Sequence, residues 1–98
     1  MRVFIIVHGF VQGVGYRAFV RRMAERYKVS GMVMNAKDGS VHVLAEAEKS
    51  VLELFKDAID VDMKNGPQVR HMEVFSEESS GFPKDIGEYE GRFIVLGE

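Results

Sequence analysis

Residues 2–28, RVFIIVHGFVQGVGYRAFVRRMAERYK, combine three local patterns that together decide the fold. Arg2–His8 is rich in β-branched and aromatic residues, which predicts a strand that ends at Gly9. The next segment, Gly9–Gly15, contains three glycines and predicts a loop. Beyond it, apolar residues recur at helical spacing with arginines largely off their stripe, which predicts a helix over Tyr16–Lys28.

A hairpin is predicted after this helix. Strand-like segments at Val29–Ala36 and Val41–Ala47 flank the residues KDGS, in which Asp-Gly supplies the positive φ angles of a tight turn. The second of these segments alternates, with Val41 and Val43 on one face and His42 and Leu44 on the other. One face of this strand is therefore expected to be buried.

A second helix and two further strands complete the predicted order. Ser50 and Glu53 predict a capping box, and apolar residues then repeat at helical spacing to Met63, before Asn65-Gly66-Pro67 ends the helix. The remaining predicted segments are a strand at Val69–Phe75, an acidic loop at Glu77–Glu90 and a short strand at Arg92–Leu96.

This order predicts an α+β fold, a split βαβ sandwich with one antiparallel sheet and two helices on one face. A right-handed crossover through the first helix makes strands 1 and 2 parallel. The Gly9–Gly15 loop and Asn35, at the end of strand 2, should therefore be neighbours at one edge of the sheet. Because 98 residues is a usual domain size, we expect one domain over residues 1–98.

Composition excludes several classes of protein. The chain contains no cysteine, so disulfides and thiolate metal sites are excluded. The early apolar run Val3–Val7 is too short for a signal peptide or a membrane span, and we expect a cytoplasmic protein with no membrane association. The formal net charge of −2 gives no reason to expect a nucleic acid as a partner.

That net charge is the sum of two segments with opposite charge. Residues 1–37 contain seven Lys or Arg and one acidic residue, whereas residues 38–98 contain six and fourteen. The positive part includes the glycine loop and the first helix, and it can attract a small phosphate.

The glycine loop matches neither the dinucleotide fingerprint nor the Walker loop. Glycines still let backbone N–H groups converge, and the start of the following helix attracts an anion. Arg17 in the first helical turn opposes the helix dipole unless an anion is bound, and its guanidinium can hold two phosphate oxygens. The alternatives are a purely conformational role for the glycines, and an Asn35 that only satisfies local backbone groups.

Two stretches, VHGFVQGVGYR at 7–17 and GMVMNAKDG at 31–39, resemble the signature blocks of the acylphosphatase family. The resemblance implies a ferredoxin-like sandwich and hydrolysis of acyl phosphates to a carboxylate and inorganic phosphate. It implies that the Arg17 side chain binds the phosphate and that the Asn35 amide orients the attacking water, with no metal or cofactor. The backbone groups that the resemblance assigns to phosphate binding are those of Gln12, Gly13, Val14, Gly15 and Tyr16.

The chain departs from the family pattern at three positions. Met32 and Met34 stand where the family usually has tryptophan and a basic residue, and Ala47 stands where glycine is common. We expect these changes to affect packing, rate and acyl-group preference rather than the chemistry, because methionine fills irregular gaps.

Other functions fit the same topology. A phosphate-binding or regulatory module without turnover is the main alternative. An RNA-binding domain would need aromatic residues on the central strand, and Val41–Ala47 has none. The three histidines, His8, His42 and His71, are not at metal-ligand spacing, which favours a role as surface or strand residues. His8 adjoins the loop, where its charge could influence binding near neutral pH. We expect a monomer that acts on a small acyl phosphate.

Overall fold

The computed structural model describes residues 1–97, which form five strands and two helices around one sheet. No helix within these residues is long and apolar enough to cross a membrane. The elements in chain order are β1 (Arg2–Phe10), α1 (Tyr16–Tyr27), β2 (Ser30–Asn35), β3 (Val41–Glu46), α2 (Lys49–Ile59), β4 (Gln68–Ser76) and β5 (Phe93–Leu96).

The sheet has the strand order β4-β1-β3-β2-β5. β3 pairs antiparallel with both β1 and β2, so β1 and β2 run in the same direction, as the crossover rule predicts. The predicted ferredoxin-like fold is confirmed, but the expectation of a wholly antiparallel sheet is wrong, because β5 pairs parallel with β2. The long connection from β4, residues 77–92, brings the chain to the start of β5 beside the start of β2.

Both helices pack on one face of the sheet, as expected. The predicted alternation of β3 is confirmed, because Val41, Val43 and Ala45 are fully buried in the core with the helices. The other core residues come from β1, β2, β5, both helices and the segments that flank α1: Val3, Ile5, Val7, Val11, Tyr16, Val20, Ala24, Val29, Val33, Leu52, Phe55, Ile59 and Phe93.

The ends of the acidic β4–β5 connection lie at the edge where β1 and β2 begin. At one end, Glu77 accepts a hydrogen bond from the Arg2 backbone N–H at 3.2 Å. At the other end, the N–H of Gly91 donates to the hydroxyl of Ser30 at 3.0 Å. The ends of β1 and β2, where the glycine loop follows, lie at the opposite edge. The fold thus anchors its most acidic segment away from the loop.

The sequence prediction for α2 is wrong at both ends. The helix is capped by Glu48 in an extended conformation without a side-chain cap bond, so the predicted capping box of Ser50 and Glu53 does not start it. The helix ends at Ile59 rather than near Asn65, because the chain turns back to pair with β4. In this turn the N–H of Val69 donates to the carbonyl of Val61 at 2.8 Å.

β1 is longer than predicted, because Gly9 does not end it. A β-bulge between His8 and Gly9 shifts the register against β4, and the strand continues to Phe10. Gly9 has φ +138°, and a Cβ at this position would collide with the Gln68 carbonyl. Glycine at this position allows the backbones of β1 and β4 to approach closely.

The start of α1 is fixed to the end of α2 by a buried hydrogen bond. The hydroxyl of Tyr16 donates to the carbonyl of Ile59 at 2.7 Å. Burial raises the pKa of the Tyr16 phenol well above its usual range, and the nearby Asp60 carboxylate raises it further. The hydroxyl therefore stays protonated and available as a donor.

Replacing Tyr16 by phenylalanine is expected to lower the free energy of unfolding by about 1–2 kcal/mol, because it removes this donor from a buried carbonyl. Urea denaturation followed by circular dichroism measures the change. Tyr27→Phe, on the same helix, is the matched control, since its hydroxyl makes no hydrogen bond within residues 1–97. Equal stability of the two variants would contradict a stabilising role for the bond.

Candidate active site

The segment between β1 and α1 has a backbone that only glycine adopts readily at two positions. Gly13 has φ +76°, and Gly15, the N-cap of α1, has φ +79°. An added Cβ would meet nothing within 4 Å at either glycine, so these positions require the left-handed conformation rather than space. Left-handed residues in such a loop are a feature of anion-binding nests, in which successive backbone N–H groups converge.

We call the backbone of residues 12–16 the cradle. Its N–H groups donate no hydrogen bond to any residue of the described range, 1–97. The first turn of α1 contains no acidic residue, and Gly15 provides no side-chain cap. Consecutive free donors at a helix N-terminus, together with the positive end of the helix dipole, form a site for an oxyanion.

Arg17 follows the cradle directly, and its guanidinium is held at the end of β5. Its Nη1 donates to the carbonyl oxygen of Leu96 at 2.9 Å. A guanidinium carries five N–H donors in one plane, a geometry that can hold two oxygens of a phosphate. The sequence predicted this residue, but the contact with a strand 79 positions away was not visible in any local pattern.

Asn35 ends β2 and borders the same cavity as the cradle and Arg17. This cavity has a volume of about 580 Å³. The Oδ1 atom of Asn35 is buried and accepts no hydrogen bond from any residue in the described range. A buried amide oxygen without a donor is unusual, and it identifies a place where a polar ligand or water can bind. The predicted proximity of the loop and Asn35 is confirmed.

Gln12 ties the cradle to the β2–β3 hairpin through its side chain. Its Nε2 donates to the carbonyl of Ala36 at 2.7 Å and to that of Ser40 at 2.8 Å. Both carbonyls lie in the turn that directly follows Asn35. The resemblance assigned only backbone atoms to this position, and the side-chain bridge was missed because its acceptors are backbone groups that the sequence does not distinguish.

The hairpin turn is closed differently from the prediction. Only Gly39 has positive φ, and the Asp38 carboxylate instead accepts hydrogen bonds from Ser40, from its hydroxyl at 2.6 Å and from its N–H at 3.0 Å. These bonds, the one from the hydroxyl first, lower the pKa of Asp38 below its usual value. The hairpin turn that accepts the Gln12 hydrogen bonds is therefore also stabilised by its own bonds between Asp38 and Ser40.

The histidines are not part of this cavity. His8 Nε2 lies 2.9 Å from a carboxylate oxygen of Glu73, and its ring stacks on His71 with centroids 5.7 Å apart. His42 packs edge-on against Phe4. None of the three borders the cavity that contains the cradle. No group of three or more His, Cys, Asp or Glu within residues 1–97 could hold a metal ion.

Comparisons with known proteins agree with this geometry. A family model described as acylphosphatase matches residues 3–85. The acylphosphatase of Methanospirillum hungatei is 41% identical over 81 residues, covering 83% of this chain and 89% of that protein. The crystal structure of acylphosphatase from Bacillus subtilis has a TM-score of 0.75 at 34% identity, covering 98% of both chains.

An acylphosphatase structure from Coxiella burnetii has a TM-score of 0.73 at 26% identity, covering 97% of this chain and 90% of that one. The family match spans the cradle, Arg17 and Asn35, together with both helices and four of the strands. The chain belongs to the acylphosphatase family and is an enzyme of that hydrolase class.

Proposed function

We propose that the enzyme cleaves the carboxyl–phosphate bond of acyl phosphates inside the cavity formed by the cradle, Arg17 and Asn35. The observation that carries this proposal is the meeting, in one cavity, of three groups suited to bind a phosphoryl group and its attacking water. These are the free N–H groups of residues 12–16, the guanidinium of Arg17 and the unpartnered Oδ1 of Asn35. Each matches one need of the reaction.

The first need is to hold the phosphoryl group. In this proposal the cradle N–H groups and Arg17 bind its oxygens, where negative charge shifts during transfer. Such donors act strongly because they are oriented before the substrate arrives and need no reorganisation. The Leu96 carbonyl contributes by keeping the guanidinium beside the cradle.

The second need is to aim a water molecule at phosphorus. The Asn35 Oδ1 accepts one hydrogen of this water, which leaves an oxygen lone pair directed at the phosphoryl group. As the water oxygen bonds to phosphorus, the phosphorus–oxygen bond to the acyl group breaks and the carboxylate leaves with the electron pair. The water proton passes to a phosphate oxygen, so inorganic phosphate and a carboxylate are the products.

This scheme uses no protein general base, and the substrate explains why. An acyl phosphate already contains a good leaving group, so positioning and charge stabilisation provide most of what its hydrolysis requires. The proposal therefore requires no metal or cofactor.

Gln12 acts as a positioning residue in the proposed mechanism. Its amide fixes the turn that follows Asn35 relative to the cradle, and thus fixes the water acceptor relative to the phosphate donors. A small misplacement of reacting groups can cost a large factor in rate.

The proposal includes a monomer, one domain over the chain, and action in the cytoplasm without nucleic acid. The cradle, Arg17 and Asn35 all come from one chain, so the proposed site needs no second subunit. The acidic segment that makes the net charge negative is anchored at the opposite edge of the sheet.

The direct test is a steady-state assay with benzoyl phosphate in the presence of EDTA. We expect turnover together with competitive inhibition by inorganic phosphate, and no turnover of a phosphate monoester such as p-nitrophenyl phosphate. Phosphate binding without hydrolysis would contradict this proposal and favour a phosphate-binding or regulatory module without turnover. Size-exclusion chromatography measures the oligomeric state and tests whether the protein is a monomer.

Arg17→Ala is expected to remove most of the activity and the phosphate inhibition while preserving the circular dichroism spectrum. Loss of charge-assisted hydrogen bonds of about 1.5–3 kcal/mol corresponds to an increase of about 10- to 150-fold in the phosphate inhibition constant. Arg17→Lys is the matched variant, and it should recover only part of the affinity because lysine lacks the bidentate fork. Unchanged phosphate affinity in Arg17→Ala would refute the assigned role.

Asn35→Ala is expected to lower kcat by about 100-fold or more, in the range seen when one oriented polar group is removed from an active site. The inhibition constant for phosphate should change far less, because water positioning matters only in the transition state. Measuring both constants on the same preparation separates the two effects. Parallel losses of kcat and phosphate affinity would contradict the division of roles.

Gln12→Met removes both donors with little change in size, and Gln12→Glu places a carboxylate against two carbonyls. We expect kcat to fall in both variants and further in the glutamate variant, with unfolding free energy reduced by about 1–2 kcal/mol in Gln12→Met. The discriminating readout is kcat measured well below the unfolding temperature. A loss of stability with kcat unchanged would show that Gln12 has only a structural role.

A further inference from the structure

The cavity at the cradle continues along the molecule between α1 and β5. A second cavity of about 720 Å³ adjoins it, and Arg21, Glu25 and Val95 border both. The second cavity extends to Lys28 and Arg92 at the far edge of the sheet. We call the two together the α1–β5 groove. Its apolar wall includes Ala24 and Phe93, which are buried beneath it.

The charges along the groove are mostly positive. Glu25 is its one acidic side chain among residues 1–97, whereas the basic side chains that border it are Arg17, Arg21, Arg22, Lys28 and Arg92. Arg21 Nε lies 3.1 Å from Glu25 Oε2, but both side chains are more than half exposed. An exposed pair spaced i, i+4 on a helix contributes only about 0.3–0.5 kcal/mol, so Arg21 can exchange Glu25 for another carboxylate.

The spacing along α1 places Arg21 near the substrate. Arg17 and Arg21 are four residues apart and therefore share one face, about 6 Å apart along the axis. The cavity that contains the cradle and Arg17 is also bordered by Arg21, so an acyl group attached to a phosphoryl group held there has room along the groove toward Arg21. The groove therefore offers an apolar wall for the acyl group and, about one helical turn from Arg17, the cationic side chain of Arg21.

Resting on the proposed function, we propose that the acyl group lies along the α1–β5 groove and that Arg21 selects acyl phosphates with a second anionic group on the acyl moiety. The second anion is a carboxylate or phosphate about one helical turn from the acyl carbon. Arg21 is then a specificity-determining residue, while Arg17 serves the transferred phosphoryl group. Glu25 weakens the preference, because its carboxylate competes for Arg21 and repels the second anion.

The test compares 4-carboxybenzoyl phosphate with benzoyl phosphate. The two substrates share a rigid ring and differ by one carboxylate, so the ratio of their kcat/KM values isolates recognition of the second anion. Each variant is normalised by its own value for benzoyl phosphate. The variants are Arg21→Gln, Glu25→Gln and, as a control, Arg26→Gln, an exposed arginine of α1 that borders neither cavity.

We expect a ratio above one for the unaltered protein at low salt. Arg21→Gln should lower the ratio by about 2- to 5-fold, as for an exposed ion pair, and Glu25→Gln should raise it. Arg26→Gln should leave it unchanged, and salt at about 0.5 M should move the ratio of the unaltered protein toward one.

Three results would overturn the inference: a ratio unaffected by Arg21→Gln, equal effects of Arg21→Gln and Arg26→Gln, or a lower ratio in Glu25→Gln. Equal effects of the two arginine variants would show general electrostatic attraction rather than a subsite. If benzoyl phosphate is hydrolysed but these changes in the ratio are not seen, the proposed function stands and only the role of Arg21 and the groove in recognising a second anion is rejected. Absence of hydrolysis of both substrates rejects the proposed function itself.

Discussion

The pairing of β3 between β1 and β2 is the constraint on which the site depends. Because β3 is antiparallel to both neighbours, the ends of β1 and β2 reach the same edge of the sheet. One end continues into the cradle and the other carries Asn35, so the cradle N–H groups and the Asn35 amide meet at one cavity without any long loop. The Gln12 side chain then bridges to the turn after Asn35 over the remaining distance.

Local patterns in the sequence were sufficient where one periodicity dominated. The helical stripe of α1 and the alternation of β3 predict their elements within about a residue, because burial of one face follows directly from the repeat. The end of α2 was missed because Met63 lies at helical spacing from Ile59, whereas its N–H donates to the carbonyl of Pro67, just before β4. Long-range pairing overrode the local period there.

The site was predictable in part for a related reason. Arg17 and Asn35 are recognisable from short motifs, and the crossover rule brings their segments together. The side-chain contacts that Gln12 and Arg17 make with other segments were not predictable, because the acceptors are backbone carbonyls. Gln12 binds two carbonyls of a turn, and Arg17 binds a carbonyl of the last strand. A residue's type does not reveal which distant carbonyl will lie in reach.

The bond from Arg17 to Leu96 joins residues 79 positions apart, and it makes the site one of the least local parts of the molecule. β5 has four residues and, among the strands of residues 1–97, pairs only with β2, at the edge of the sheet. Contacts between distant segments carry a large loop-closure cost and slow folding. Recovery of activity during refolding should therefore lag behind formation of the helices, and in the proposed mechanism release of β5 would lower activity before the core opens, because Arg17 would lose its contact with Leu96.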